Sequence, residues 1–231
     1  MKAQYLVVYT AVFGDYDWIP DPPVPDGIST YFRLFDPLAK QQFAPSDVWT
    51  NLYVPRSEAT PVRDARRCKI LSHRQFPEAE FTIWHDANID LMIPAFRFLD
   101  YLGDNDIAVF DHPPDWPEWG HRRRQCIYDE AEECKRLGRD RTELIDAQME
   151  RCRADKYPVQ AGLVSTGVLV RRNTDRVRRF NEMWWGELNM FSHRDQLSFP
   201  YVSWKLGIDY SIIPGSIFTG SLVRYRYPHG T

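Results

Sequence analysis

The sequence predicts an α/β fold in which helices flank a central, largely parallel β-sheet. Short apolar segments with strand character alternate along the chain with longer segments of helical periodicity, and no internal repeat, low-complexity tract or interdomain linker interrupts them. The chain has 231 residues, of which 43% are hydrophobic, so it can bury one core without disulfides or a metal ion. We therefore expect a single domain over residues 1–231.

Six segments have the composition of β-strands. They are apolar, and turn-forming residues bound them. The predicted strands cover residues 4–13, 29–35, 49–54, 81–84, 107–110 and 163–170. A proline-rich loop at residues 20–25 follows the first strand, and the last strand contains Gly167 in its middle. Their alternation with helical segments favours parallel pairing.

The first predicted helix has clear signals at both ends. Thr60 is a suitable N-cap, Pro61 fits the first helical position, and Pro77 marks a stop after roughly four turns. A short helix is predicted at residues 94–102, closed by Gly103. The strongly charged segment 121–156 is poor in glycine and proline, so we expect an inserted helical hairpin there with a solvated charged face.

Two more helices are predicted in the last third of the chain. In the first, four apolar residues recur at helical spacing and share one face: Val177, Phe180, Trp184 and Leu188. The second starts with Ser192 and Asp195 in a pattern like a capping box. Pro200 is expected to kink this helix and Gly207 to end it.

Composition and charge exclude several classes of protein. The 29 Lys and Arg residues face 32 Asp and Glu, so the chain lacks the basic excess that a long nucleic-acid interface requires. The longest apolar run, residues 6–13, is less than half the length that crosses a bilayer, and we expect neither a signal peptide nor a membrane span. The four cysteines include no CxxC pair, which predicts reduced thiols and a cytoplasmic location.

A short acidic cluster at the end of a predicted strand is the main chemical signal. Asp86 follows an apolar strand directly, and Asn88 lies two residues further on. Ligands of parallel α/β sheets bind beyond the carboxyl ends of the strands, where two such oxygen ligands can hold Mg²⁺ or Mn²⁺ against a diphosphate. An Asx-type turn explains the same residues equally well. The P-loop, GxGxxG, GxSxG and HExxH motifs are absent from the sequence.

Several segments together indicate one family. Asp86-Ala87-Asn88 resembles the DxD motif of nucleotide-sugar glycosyltransferases with the GT-A fold, residues 164–170 resemble their NSGV strand, and Asp195-Gln196 their DQ helix start. The segments 9–17, 69–73, 83–86 and 194–202 are similar, in this order, to the glycosyltransferase-like domain of plant seed-mucilage and pollen-turgor proteins. The resemblance covers nearly the whole chain and implies a GT-A-like, Rossmann-like sheet.

The resemblance implies a role for several polar residues. A divalent cation, Mn²⁺ or Mg²⁺, would have three ligands: Asp86, Asn88 and His229. The nucleotide-sugar donor would contact eight residues: Thr10, Ala11, Tyr16, Arg66, Arg67, Lys69, Thr166 and Gly167. Of these, Lys69 would reach the diphosphate, because the leaving group develops negative charge in the transition state. Asp195 and Gln196 would lie beside the transferred sugar as catalytic residues.

Each role has a structural alternative that the sequence leaves open. Arg66 and Arg67 can be solvated helix charges. Asp195 can be part of a helix cap. Thr166 and Gly167 can form a plain β-bulge.

The predicted activity is transfer of a sugar from a nucleoside-diphosphate sugar, expected to be a UDP-sugar, to a carbohydrate or glycoconjugate acceptor. Two other classes stay open. A metal site on Asp86, Asn88 and histidines can activate water for hydrolysis of an amide or phosphoester. A non-catalytic carbohydrate-binding domain can keep the fold with weaker metal ligation, because Asn88 is a neutral ligand. None of the three classes involves nucleic acid.

Overall fold

The computed structural model describes residues 5–14, 19–38, 45–115 and 121–226. Nine strands lie in these ranges: β1 (Leu6–Val12), β2 (Thr30–Phe35), β3 (Trp49–Tyr53), β4 (Phe81–His85), β5 (Ile89–Leu91), β6 (Ile107–Asp111), β7 (Val164–Arg172), β8 (Ser211–Ile213) and β9 (Val223–Tyr225). Six α-helices lie in the same ranges: α1 (Pro61–Ile70), α2 (Ser72–Gln75), α3 (Ile127–Arg136), α4 (Thr142–Ala154), α5 (Asp175–Met190) and α6 (Asp195–Leu206). A 3-10 helix spans Ala95–Leu102.

The central sheet has seven strands in the order β3-β2-β1-β4-β7-β6-β8. Strand β7 runs antiparallel to its neighbours β4 and β6, and the other four pairs in this sheet are parallel. The predicted fold class, a mostly parallel sheet flanked by helices, is confirmed. The three-residue strands β5, β8 and β9 were not predicted, because so short a segment carries no readable periodicity.

The sheet separates two apolar clusters, so strand β1 is covered on both faces and all seven of its residues are buried. On one face, Val7 and Tyr9 belong to the cluster that contains Phe180 and Trp184 of α5. On the other face, Val8 belongs to the cluster that contains Phe98 of the 3-10 helix.

Helix α1 begins as predicted but ends earlier. Thr60 caps it by accepting a hydrogen bond from the Arg63 N–H, with Pro61 in the first turn. The predicted continuation to Pro77 is wrong: α1 stops at Ile70, and the separate short helix α2 follows. The cause lies in the core, because side chains from β1 and β7 hydrogen-bond to the last carbonyls of α1.

The predicted helical hairpin is confirmed as α3 and α4, and it packs against the region where α6 begins. Asp140, in the loop between these helices, accepts hydrogen bonds from the Ser192 hydroxyl at 2.7 Å and the His193 N–H at 2.8 Å. The predicted capping box is therefore wrong: the N-cap of α6 is Arg194, without a side-chain capping bond. Helix α6 ends as predicted at Gly207, which has φ of +59°.

Candidate functional site

Asp86 lies immediately beyond the carboxyl end of β4. Its backbone N–H donates a hydrogen bond of 2.8 Å to the carbonyl of Gly167 in β7, and its carbonyl accepts one of 2.9 Å from the Ile89 N–H. Residues Asp86 to Ile89 thus form a β-turn, which we call the DxD-like turn. The turn and the motif coexist, because the turn is formed by backbone groups and leaves the side chains of Asp86 and Asn88 partly exposed.

Gly167 allows this turn to approach β7 closely. A Cβ atom at this position would lie 2.8 Å from the Cδ1 of Ile89 and 3.5 Å from the Oδ2 of Asp86. The pairing of β6 with β7 also shifts register between Val109 and Phe110, so residues 166–168 have no partner in β6. The bulge expected at Thr166 and Gly167 is therefore present, and the DxD-like turn packs directly against Gly167.

Lys69 joins three distant segments of the chain. Its Nζ lies 2.5 Å from the Oδ2 of Asp195 and 3.2 Å from the Oδ1 of Asp86. It also donates a hydrogen bond of 3.3 Å to the Thr166 hydroxyl, which in turn donates one of 2.9 Å to Asp195. We call these four residues, together with Arg66, the charged cluster.

The inner part of the charged cluster is sealed from solvent. The side chains of Lys69 and Asp195 are only 1% and 3% exposed. Burial alone would raise the pKa of Asp195, but the charges of Arg66 and Lys69 outweigh it and hold that pKa well below its usual range. Asp195 is therefore ionised at neutral pH, and the three donors of the Lys69 ammonium are used inside the protein.

The outer part of the charged cluster faces solvent through Asp86. The hydrogen bonds that described residues donate to its carboxylate, from Trp84 Nε1 at 2.8 Å and from Lys69, both end on Oδ1. Its side chain is 33% exposed. The second oxygen, Oδ2, accepts no hydrogen bond from the described residues. The sequence analysis did not identify Trp84 as a site residue. Trp84 lies two residues before Asp86, and residues two apart along a strand point to the same face.

Arg66 and Arg67 point to different places. The guanidinium of Arg66 lies 3.6 Å from Asp195 and 3.9 Å from Asp86, and it forms no hydrogen bond with any described residue. Arg67 instead donates to the Pro55 carbonyl and lies 3.7 Å from Glu58. Of these two residues, only Arg66 adds its positive charge to the charged cluster.

The residues present fit a divalent cation of the hard, oxygen-seeking kind. Mg²⁺ and Mn²⁺ commonly take one or two carboxylates and complete their shell with water and substrate phosphates. Asp86 supplies one exposed carboxylate oxygen, and the half-buried Asn88 follows it in the same turn. No group of three or more His, Cys, Asp or Glu that could hold a metal exists among the described residues, so a cation here would depend on ligands from the substrate.

The remaining predicted residues lie at or near the same edge, or outside the described part. Gln196, half-buried at the start of α6, donates a hydrogen bond of 3.0 Å to the Val164 carbonyl at the start of β7. Thr10 and Ala11 lie inside β1, and both are buried. The Thr10 hydroxyl has no hydrogen-bond partner among the residues that the structure describes. Tyr16 and His229 lie outside the described residues.

The α/β sheet and the charged cluster at its carboxyl edge can now be compared with known proteins. Residues 46–219 match the model of a family of glycosyltransferase-like domains. Because this match covers most of the chain, the protein belongs to that family, the TOD1/MUCI70 glycosyltransferase-like domain. The predicted resemblance is confirmed.

Two relatives from Arabidopsis thaliana are similar over most of this chain. Alkaline ceramidase TOD1 is 25% identical over 260 residues, which cover 96% of this chain and 54% of that protein. The probable hexosyltransferase MUCI70 is 25% identical over 229 residues, which cover 87% of this chain and 37% of that protein. The chain thus spans about half of one relative and less of the other.

One solved structure with a detectable similarity is that of a glycosyltransferase involved in the glycosylation of the major capsid of PBCV-1. Its sequence identity is 14%, its TM-score is 0.39, and the match covers 72% of this chain and 67% of that one.

In the described residues, no helix is both long and apolar enough to cross a bilayer.

Proposed function

We propose that the domain transfers a sugar from a nucleoside-diphosphate sugar to a carbohydrate acceptor, and that a UDP-sugar is the donor. One observation carries the proposal: the guanidinium of Arg66, which donates no hydrogen bond to a described residue, lies 3.9 Å from the partly exposed carboxylate of Asp86. A diphosphate needs both groups, because a guanidinium binds phosphate oxygens in pairs and a carboxylate can hold the accompanying cation. Membership of a glycosyltransferase-like family supports the same activity.

In this proposal Asp86 Oδ2 and Asn88 hold Mn²⁺ or Mg²⁺, with His229 as a third ligand. When bound, the cation supplies positive charge against the charge that develops on the leaving diphosphate. Arg66 binds the same phosphates directly. Lys69 has a different task from the one expected of it, because its ammonium is enclosed by Asp86, Asp195 and Thr166 and orients these groups instead.

Asp195 and Gln196 were both expected to lie beside the transferred sugar as catalytic residues, and in this proposal only one of them does so. Asp195 is buried and its pKa is lowered, so it is a poor proton acceptor and acts by orienting Lys69 and Thr166. Gln196 is half-buried and keeps one amide proton beyond its bond to Val164. We therefore assign the contact with the transferred sugar to Gln196.

Calorimetry with UDP, with and without Mn²⁺, tests this function. The wild-type protein should bind UDP more tightly with Mn²⁺, and Asp86→Ala should remove the metal-dependent part. Asn88→Asp should strengthen the metal-dependent part of UDP binding, since a second carboxylate adds charge to a hard-cation site. Equal UDP affinity with and without Mn²⁺ would contradict the metal site. A panel of UDP-sugars, followed by NMR of the products, then identifies the donor.

Amide hydrolysis is the second candidate, because one relative is named an alkaline ceramidase. A hydrolase needs an activated water, which a metal held by the same residues, Asp86 and Asn88, would supply. Hydrolysis of a fluorescent ceramide that is lost in Asp86→Ala, without any UDP binding, would favour this activity over transfer. The cytoplasmic location and the absence of a nucleic-acid partner stay predictions.

A further inference from the structure

Arg171 is a buried cation in the middle of β7. It is 1% exposed, and among the residues described no carboxylate lies within ion-pair distance of it. It donates to four uncharged acceptors instead: the carbonyls of Lys69 at 2.7 Å and Ile70 at 3.0 Å, Asn181 Oδ1 at 3.0 Å, and the Tyr9 hydroxyl at 2.5 Å.

The end of α1 compensates for this buried charge. The last carbonyls of a helix lack partners within the helix and carry partial negative charge, so a cation beside them is stabilised. Lys69 and Ile70 are the last two residues of α1, and Arg171 hydrogen-bonds to both carbonyls. A buried guanidinium is nevertheless costly to keep, and burial lowers its pKa. An apolar residue would fill the core with no such penalty.

Lys69 is therefore held at both ends. Its carbonyl accepts a second hydrogen bond, of 2.7 Å, from the Tyr9 hydroxyl. Its ammonium lies between Asp86 and Asp195 at the other end of the side chain. A shift of the helix end would move the ammonium, and with it the carboxylate that faces the ligand.

We propose that Arg171, together with Tyr9, is a positioning residue of the donor site, which fixes the end of α1 so that Lys69 holds Asp86 in its ligand-binding orientation. The inference rests on the proposed function. It predicts that changes deep in the core alter diphosphate affinity while leaving nucleoside affinity unchanged.

Two substitutions test the proposal. Tyr9→Phe removes one oxygen and its bond to Lys69, and Arg171→Lys keeps the charge but cannot reach all four acceptors. We expect Tyr9→Phe to weaken Mn²⁺-dependent UDP binding about threefold and Arg171→Lys about tenfold, in calorimetry that also reports the folded fraction. Uridine affinity should stay unchanged. Tyr31→Phe is the matched control, because this buried tyrosine hydrogen-bonds to Asp26 and not to the charged cluster.

A double-mutant cycle with Lys69→Met separates positioning from general loosening of the fold. If Arg171 acts through Lys69, Tyr9→Phe and Arg171→Lys should have no further effect on UDP affinity in that background. The proposal would be overturned if the two substitutions reduced UDP affinity equally in the wild-type and Lys69→Met backgrounds. It would also be overturned if UDP affinity were unchanged in both single variants. Tyr9→Phe serves alone if Arg171→Lys does not fold, and Lys69→Gln, which also lacks the charge, replaces Lys69→Met if Lys69→Met does not fold.

The proposed function is tested separately by the wild-type protein and Asp86→Ala. If UDP binding depends on Mn²⁺ and on Asp86 but not on Tyr9 or Arg171, the function stands and the positioning role fails. If the wild-type protein does not bind UDP, both fail.

Discussion

The backbone N–H of Arg226 donates a hydrogen bond of 2.7 Å to the carbonyl of Asn88. The guanidinium of Arg226 also donates to the Ala87 carbonyl and lies 2.9 Å from Asp90. The segment after β9 is thereby joined to the DxD-like turn. His229, which lies outside the described residues, is three residues further along the chain.

His229→Ala should therefore reduce the Mn²⁺-dependent part of UDP binding, by about tenfold, because a cation with few protein ligands is sensitive to each of them. Binding of UDP without metal should not change. His73→Ala is the control, since His73 hydrogen-bonds to Glu182 and Asn181 and has no contact with the charged cluster. Identical Mn²⁺ titrations of His229→Ala and the wild-type protein would exclude His229 as a ligand.

Arg66→Met and Arg67→Met form a matched pair of neighbours on one helix. Arg66 lies beside Asp86 and Asp195, whereas Arg67 donates to the Pro55 carbonyl and lies near Glu58. Arg66→Met should weaken UDP binding about tenfold or more and leave uridine binding unchanged, because the lost charge-assisted bonds are to phosphate. Arg67→Met should leave both affinities unchanged. Calorimetry with both ligands checks this, and equal effects of the two substitutions would withdraw the assignment of Arg66.

Local signals in the sequence were sufficient for the parts of the site that depend on neighbours in the chain. The apolar run before Asp86 placed it at a strand end, and Thr60 with Pro61 placed the start of α1. The end of α1 could not be predicted in this way, because Arg171, which binds the Lys69 carbonyl, is 102 residues away. The same holds for Ser192, whose hydroxyl binds Asp140 rather than capping α6.

The meeting of Lys69 with Asp195 is likewise a product of the sheet topology. No periodicity relates residues on α1 and α6, so only the resemblance to a family suggested that both belong to one site. The resemblance did not show that Lys69 is enclosed. That follows from the burial of both side chains, which is a property of the folded protein.

Gly167→Ala should destabilise the protein and distort the DxD-like turn. The added Cβ would lie 2.8 Å from the Cδ1 of Ile89, a side chain that is itself buried and cannot move away freely. We expect a loss of about 1–3 kcal/mol in the free energy of unfolding, measured by urea denaturation, with weaker UDP binding. The double variant Gly167→Ala/Ile89→Val lacks the clashing Cδ1. It should recover part of the lost stability and part of the lost UDP affinity. Failure of Ile89→Val to recover either would place the strain elsewhere.

Asp195→Asn distinguishes a buried ion pair from a helix cap. Asparagine can still accept a hydrogen bond, so a cap would survive the change, whereas the ion pair with Lys69 would not. We expect a loss of about 3 kcal/mol in the free energy of unfolding at pH 7, because the substitution leaves a buried cation with only the partly exposed Asp86 as partner. A loss below about 0.5 kcal/mol would show that the ion pair with Lys69 does not stabilise the fold.

The pH dependence of this loss identifies its cause. The pKa of Asp195 is lowered in the folded protein from an ordinary value of 3.8, so its contribution to stability is complete above that value and declines as the pH falls toward the folded pKa. The difference in unfolding free energy between the wild-type protein and Asp195→Asn should therefore be constant from about pH 5 to 8 and shrink below about pH 4. Asp155→Asn is the control for an exposed acid whose pKa is lowered mainly by its hydrogen bond with Lys205, and its effect should be small throughout. A difference for Asp195→Asn that changes between pH 6 and 8 would mean that another group titrates with it, and the assignment of a permanently ionised Asp195 would be wrong.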